Sequence, residues 1–189
     1  MPLPALILCL ACVLACAGGA RADETPWSAL AAGGRVVLIR HAITTSGVGD
    51  PPGMRLEDCS TQRNLTDEGR RHALAIGEAF RRRGIPVERV LSSPWCRCLE
   101  TAKLAFGRAD VDASLSNLFG RAQNRSPQVA AMTRLVGAYR GRGNLVLVSH
   151  GSTIVALTGI SPATGEMVVV TPDGKGGFAV TGSLAVESR

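Results

Sequence analysis

Two apolar runs in this chain each end on a histidine followed by a small residue: Val36-Val37-Leu38-Ile39-Arg40-His41-Ala42 and Leu145-Val146-Leu147-Val148-Ser149-His150-Gly151. Short β-branched runs bounded by polar or turn residues fit strands covered on both faces, and such strands belong to parallel sheets in α/β domains. Ligands of these sheets sit beyond the carboxyl ends of the strands, where strand order reverses. Two such strands would deliver His41 and His150 to one edge, although most of the domain separates them in sequence.

The intervening pattern fills in the other layers. Thr66 is a helix N-cap followed by Asp67 and Glu68, with Gly84 and Pro86 as the stop. Within this helix Ala73, Ile76, Gly77 and Phe80 form an apolar face, and His72 is expected to be exposed. A strand over Val87 to Leu91 leads to Ser92-Ser93, and Pro94 opens a helix that runs to Ala105. Residues 110–118 read as a short strand and turn, and Pro127 to Tyr139 as a helix. After the His150 strand come a short helix near Ile154 to Leu157 and a hairpin, Glu166–Thr171 and Gly177–Thr181, around Pro172-Asp173-Gly174-Lys175-Gly176. The order predicts an α/β fold, a three-layer α/β/α sandwich with a mostly parallel sheet and a C-terminal antiparallel hairpin. The stretch from Thr44 to Arg63, with Asp50-Pro51-Pro52-Gly53 as its turn, is a long irregular loop expected to overhang the His41 edge.

The amino end has a different origin. Met1 to Ala22 contains an apolar stretch from about Leu3 to Ala17, too short to span a membrane comfortably, and then Ala20-Arg21-Ala22 as a small-residue cleavage site. Residues 1–22 therefore read as a signal peptide and 23–189 as a single domain without a transmembrane segment, periplasmic or secreted. Val13-Leu14-Ala15-Cys16 offers an alternative, a lipoprotein box that would anchor the protein through Cys16. The net charge of +6 is dispersed, which suits steering of an anionic ligand. Four Phe, two Trp and one Tyr supply no evident base-stacking platform, so no nucleic-acid partner is expected. Export implies an oxidising compartment, so a disulfide from Cys59 to Cys96 or Cys98 is expected, with one thiol left over. Cys96-Arg97-Cys98 is too tight for zinc-ligand spacing, and no metal is expected.

Four ordered blocks carry a family resemblance. Arg40-His41-Ala42-Ile43-Thr44 resembles the Arg-His-Gly-x-Thr signature of the histidine phosphatase superfamily, the phosphoglycerate-mutase-like fold. Leu65-Thr66-Asp67-Glu68-Gly69 resembles its Leu-Thr-x-x-Gly helix start. Ser92-Ser93-Pro94 with Arg97 and Glu100-Thr101-Ala102 resembles its second block, and Val148-Ser149-His150-Gly151 its final histidine motif. The resemblance implies that His41 is a nucleophile that is transiently phosphorylated, that Arg40, Arg97 and His150 hold the phosphoryl group, and that Thr44 contacts substrate. It also implies a metal-independent phosphatase without a cofactor, acting on a phosphorylated small molecule or glycan. Small family members with signal peptides point to a sugar or envelope phosphate.

Each role has a physical need behind it. Charge spreads over the equatorial oxygens during phosphoryl transfer, and arginine forks pair bidentately with such oxygens. The attacking imidazole has to be neutral, with its other N–H fixed by a hydrogen bond, most simply to backbone, whereas His150 is expected to act as a protonated donor. Glu100 is expected beside Arg97, orienting it, and Arg63 and Arg71 are expected at the solvated surface.

The chain departs from the family pattern in two places. Ala42 replaces the usual glycine, and the general acid is missing: Gly151 follows His150, and no Glu occurs from Lys103 to Ser149. Either the long loop supplies the proton through Asp50, Glu57 or Asp58, or the substrate has a good leaving group such as a phosphoramidate, which would make the chain a phosphohistidine phosphatase. A non-catalytic phosphate-binding module is the alternative from a different class. A phosphomutase would need a larger substrate-recognition segment than the chain offers.

Overall fold

β1 (Val36–Arg40) and β4 (Asn144–Ser149) lie side by side and parallel, with Arg40 opposite Ser149. They form the centre of a computed structural model that describes residues 26–187; the expected signal peptide and Cys16 lie outside the described residues. All of β4 is buried, as is β1 up to Arg40, which explains why both runs are apolar without alternation. β2 (Val87–Ser92) runs parallel to β4 on its other side, and the two-residue β3 (Asp110–Val111) parallel to β2. β5 (Met167–Pro172) pairs antiparallel with β1, and β6 (Phe178–Leu184) antiparallel with β5. The order β3-β2-β4-β1-β5-β6 is the mostly parallel sheet with a C-terminal hairpin expected from the sequence.

Strand side chains alternate between two cores. Val37, Ile39, Val146 and Val148 join Leu30 of α1 (Pro26–Ala32), Ile76 and Phe80 of α2 (Asp67–Arg82), and Cys98 and Ala102 of α3 (Cys96–Phe106). Val36, Leu38, Leu145 and Leu147 face the other way, onto Met132 and Val136 of α4 (Arg125–Gly137) and Ile154 of α5 (Gly151–Thr158). Helices on both faces of one sheet make the three layers. The α2 face Ala73, Ile76, Gly77 and Phe80 is buried as expected, and Thr66 caps the helix by accepting the Gly69 N–H. Gly77 is required by close packing: a Cβ there would lie 2.0 Å from the Ala105 carbonyl oxygen of α3.

Several boundaries shift. α4 begins at Arg125 rather than Pro127, which places the proline in the first turn, where a missing N–H leaves no intrahelical bond unmade. α3 begins at Cys96, because Trp95 is still extended (ψ 136°) and acts as N-cap. α5 begins at Gly151, directly after His150, three residues before the expected start. His72 is buried, not exposed: its Nε2 lies 2.8 Å from the Val186 carbonyl, and its ring packs beneath Gly165. The segments that cover it come from the far end of the chain, and the α2 pattern holds no trace of them.

The loop from 44 to 63 is tied down covalently. Cys59 is bonded to Cys96, one of the two expected pairings, and Cys98 is a free buried thiol. Because the bond closes a sequence separation of 37 residues, replacing both cysteines by serine should lower stability by about 3–4 kcal/mol through the unfolded chain's regained entropy. Urea denaturation of Cys59→Ser/Cys96→Ser would read this as a lower midpoint, and an unchanged midpoint would mean that non-covalent contacts already fix the loop.

Candidate active site

The central register decides where the histidines meet. With Arg40 opposite Ser149, the His41 N–H continues the ladder to the Ser149 carbonyl (2.9 Å), and the His41 and His150 rings stand 5.6 Å apart between centroids. β2 ends level with them, since Ser92 pairs with Val148 and the Ser93 N–H donates to the Val148 carbonyl at 2.9 Å. The chain then turns through Pro94 into α3, whose first turn carries Arg97. Three adjacent strand ends thus supply Arg40-His41, Ser93 with Arg97, and His150, which is the crevice expected for an open α/β sheet.

Protonation follows from the hydrogen bonds. His41 Nδ1 lies 2.9 Å from the Ala42 carbonyl, which only accepts, so Nδ1 carries the hydrogen and Nε2 keeps its lone pair. Burial is the largest cause that pushes the His41 pKa down to about 3; the Ala42 bond opposes it, and the charges of Arg97, Arg40 and Arg63 add to the lowering. His150 is likewise driven well below its ordinary value, first by burial and then by Arg97. The expectation of a protonated His150 is therefore corrected: without an anion it is neutral. Arg97 Nη2 has only donors to offer to His150 Nδ1 (3.4 Å), so Nε2 carries the hydrogen and donates to Ser93 Oγ at 2.8 Å. Cys98 Sγ sits 3.5 Å from the same Nε2, and burial is the main cause that pushes its thiol up to about 12, so it is no thiolate.

A cavity of about 400 Å³ opens over these groups, lined by Arg40, His41, Arg97 and His150 together with Arg63 and the loop backbone at Gly47 to Gly49. The loop overhangs the histidine edge as its length suggested. Arg63, expected at the surface, is drawn in because its Nη1 donates to the Gly47 carbonyl (2.7 Å). Arg40 is held by donation from Nη1 to the Pro162 carbonyl at 3.0 Å. The Nε atoms of Arg40, Arg63 and Arg97 are all buried without a hydrogen-bond partner. Unpaired buried donors are costly, and the three arginines that carry them line one cavity.

The other expected site residues do not line the cavity. Thr44 forms a backbone β-bridge with Leu65 and is not among the residues that line the cavity. Glu100 pairs with Arg70 (2.7 Å), one helix away, rather than orienting Arg97. Asp58 caps the 3-10 turn Cys59–Thr61 and pairs with Arg55, and Glu57 is exposed. Asp50 reaches Arg97, but as a carboxylate: burial alone raises its pKa, and the bonds and charge of Arg97 outweigh this and hold it below the usual range. None of the three is a poised acid, and no carboxylate is among the described residues lining the cavity. Ser93 and Asn117 were missed. Ser93 stood in the quoted second block without a role assigned to it, whereas Asn117, which accepts from Ser152 Oγ at 2.8 Å, lies in a stretch without local signal.

Comparisons with known proteins agree with this geometry. Residues 36–126 match the family model for the histidine phosphatase superfamily (branch 1). No curated protein sequence matches the chain. Among solved structures, the fold is similar to the protein histidine phosphatase SixA complexed with tungstate, at TM-score 0.56 and 19% identity over 80% of this chain and 96% of that one. It is also similar to phosphoserine phosphatase from Entamoeba histolytica, complexed with 3-phosphoglyceric acid, at TM-score 0.61 and 14% identity over 82% and 98%. A mycobacterial glucosyl-3-phosphoglycerate phosphatase complexed with VO3 gives TM-score 0.56 and 19% identity over 82% and 98%. At these identities the structural likenesses establish the fold, and the family match carries the class. Residues 36–126 thus carry the match to the histidine phosphatase superfamily, and the class of activity this supports is that of a phosphatase.

Proposed function

We propose that this protein hydrolyses a phosphomonoester through a phosphohistidine on His41, without a metal ion. The observation that carries the reading is the neutral His41 with a free Nε2, in a cavity lined by Arg40, Arg63 and Arg97, each of which has a buried Nε without a partner. In the first step Nε2 attacks phosphorus in line as the P–O bond to the leaving group breaks. The three guanidiniums hold the equatorial oxygens and supply the positive charge that metal ions supply elsewhere. In the second step water attacks the phosphohistidine, the N–P bond breaks, and inorganic phosphate leaves with neutral His41 restored. A dianionic phosphoryl group beside His150 raises the pKa of that ring, so His150 gains its proton with the substrate rather than before it. Chelator should leave activity intact, and His41→Ala should abolish both turnover and the acid-labile phosphoenzyme; turnover that survives in the variant would sink the mechanism.

The substrate reading rests on two supports. An expected signal peptide supports a periplasmic or secreted location, and the Cys59–Cys96 disulfide suits an oxidising compartment. A sugar or envelope phosphate fits that location. The cavity mouth carries exposed Val48 and Phe119, which suits a substrate with apolar bulk beside its phosphate. The absence of a carboxylate from the described lining favours a second reading, hydrolysis of a phosphoramidate such as phosphohistidine, whose leaving nitrogen needs less help. Under either reading, rates on aryl and alkyl phosphates should fall steeply as the leaving-group pKa rises. A flat dependence would show that a proton donor exists after all.

The buried neutral histidine also sets a pH dependence. An unfolded His41 binds a proton below about 6.5, whereas the folded site refuses it until about 3. The folded pKa is depressed, so the site's contribution to stability is complete above 6.5 and is lost as pH falls toward 3. Melting temperatures of wild type and His41→Gln should therefore converge, or cross in favour of the variant, between pH 6.5 and 4; parallel curves would show that His41 titrates normally.

A further inference from the structure

Asp50 is the one loop carboxylate that reaches the site, and nothing in the proposed chemistry uses it as an acid. Its Oδ1 accepts from Arg97 Nη1 (2.6 Å) and from the Arg63 backbone N–H (3.2 Å), while Oδ2 accepts from Arg97 Nη2 (3.2 Å) and from Trp95 Nε1 (3.0 Å). The pair is deeply buried, with side chains 1% and 9% exposed. A loop carboxylate with four donors of this kind has a defined position rather than a fluctuating one.

The two faces of a guanidinium separate what Asp50 does from what a phosphate does. Asp50 takes the end face, Nη1 with Nη2, and it does so from outside the catalytic cavity: Arg97 lines that cavity and Asp50 does not, lying instead in the neighbouring depression with Met54 and Arg121. The side face remains, made of Nε, which is buried without a partner, and Nη2, which lies 3.4 Å from His150 Nδ1. From this geometry, and resting on the phosphohistidine reading above, we propose that Asp50 is a positioning residue that turns the side face of Arg97 onto the phosphoryl group between His41 and His150.

Two physical effects make such a residue necessary. Arg97 shares the site with Arg40 and Arg63, so like-charge repulsion works against its staying there, and the fixed negative charge of Asp50 offsets this. The bidentate contact also removes rotation of a side chain that otherwise samples many rotamers. The loop is built to deliver the carboxylate. Pro51 and Pro52 stiffen the chain just after it, Gln62 Oε1 accepts the Cys96 N–H (3.0 Å), and the Cys59–Cys96 bond ties the loop to the residue preceding Arg97.

The test is a double-mutant cycle with p-nitrophenyl phosphate as probe, using Asp50→Asn, Arg97→Gln and the double variant. Asp50→Asn should lower kcat about 10- to 100-fold with KM changing less, because a misplaced guanidinium costs transition-state contact, and it should also lower the thermal midpoint, because the buried Arg97 charge loses its partner. In the Arg97→Gln background the same substitution should cost less than about threefold, the signature of a residue that acts through its partner. An equal loss in both backgrounds, or an unchanged kcat in Asp50→Asn, overturns the proposal. The phosphohistidine reading fails separately, if the wild-type enzyme forms no acid-labile phosphoenzyme or if His41→Ala retains turnover. Phosphoenzyme yield from a single turnover of Asp50→Asn provides a second readout: slowed formation at full final yield supports positioning, and a reduced fraction of active protein overturns it.

Discussion

The parallel pairing of β1 with β4, in the register that sets Arg40 opposite Ser149, is the constraint on which the site depends. A shift of one residue would turn the apolar set of β1 from one core to the other, exchanging Val37 and Ile39 for Val36 and Leu38 between helix layers of different shape. Burial on both faces therefore locks the register, and the register brings the two imidazoles to 5.6 Å. β2, paired to the far side of β4, adds Ser93 and the start of α3 at the same level. The histidine edge is thus a by-product of core packing, and the core sets its geometry.

Burial allows an electrostatic arrangement that water would not permit. Three guanidiniums converge on two buried imidazoles, and each histidine stays neutral because burial and the surrounding positive charge disfavour a further proton. Backbone carbonyls of Ala42, Gly47 and Pro162 orient His41, Arg63 and Arg40, and the Asp50 carboxylate orients Arg97. Donors held in place before an anion arrives cost no reorganisation when charge develops on it. The disulfide belongs to the same arrangement, since it fixes the loop that brings Gly47, Asp50 and Arg63 to a site on the sheet edge.

Much of this was legible beforehand. The apolar runs ending at His41 and His150, the capped α2 with its buried face, and the hairpin after Pro172 are local patterns that the structure keeps. The misses share one cause, which is contact between segments distant in the chain. His72 looked exposed because the segments burying it, around Gly165 and Val186, lie far beyond α2. Glu100 sat three residues from Arg97 and looked like its partner, yet it pairs with Arg70 of the neighbouring helix. Thr44 carried a motif position but pairs with Leu65, and Arg63 looked like an ordinary surface cation until the loop folded it inward.

By itself, the sequence determined the layer architecture, the strands that carry the histidines and the family blocks, because these are properties of periodicity, capping and residue type along a short stretch of chain. Only the tertiary structure decided the protonation states, the choice of Cys96 over Cys98, and the conversion of Asp50 from candidate acid to ion-pair partner. Those outcomes depend on desolvation and on distances of a few ångströms between segments that meet only after folding, and one-dimensional spacing does not encode either quantity. The two histidines began as a matching pair of strand ends. Their surroundings made them unequal, one with its Nε2 lone pair free and the other with its Nε2–H bound to Ser93.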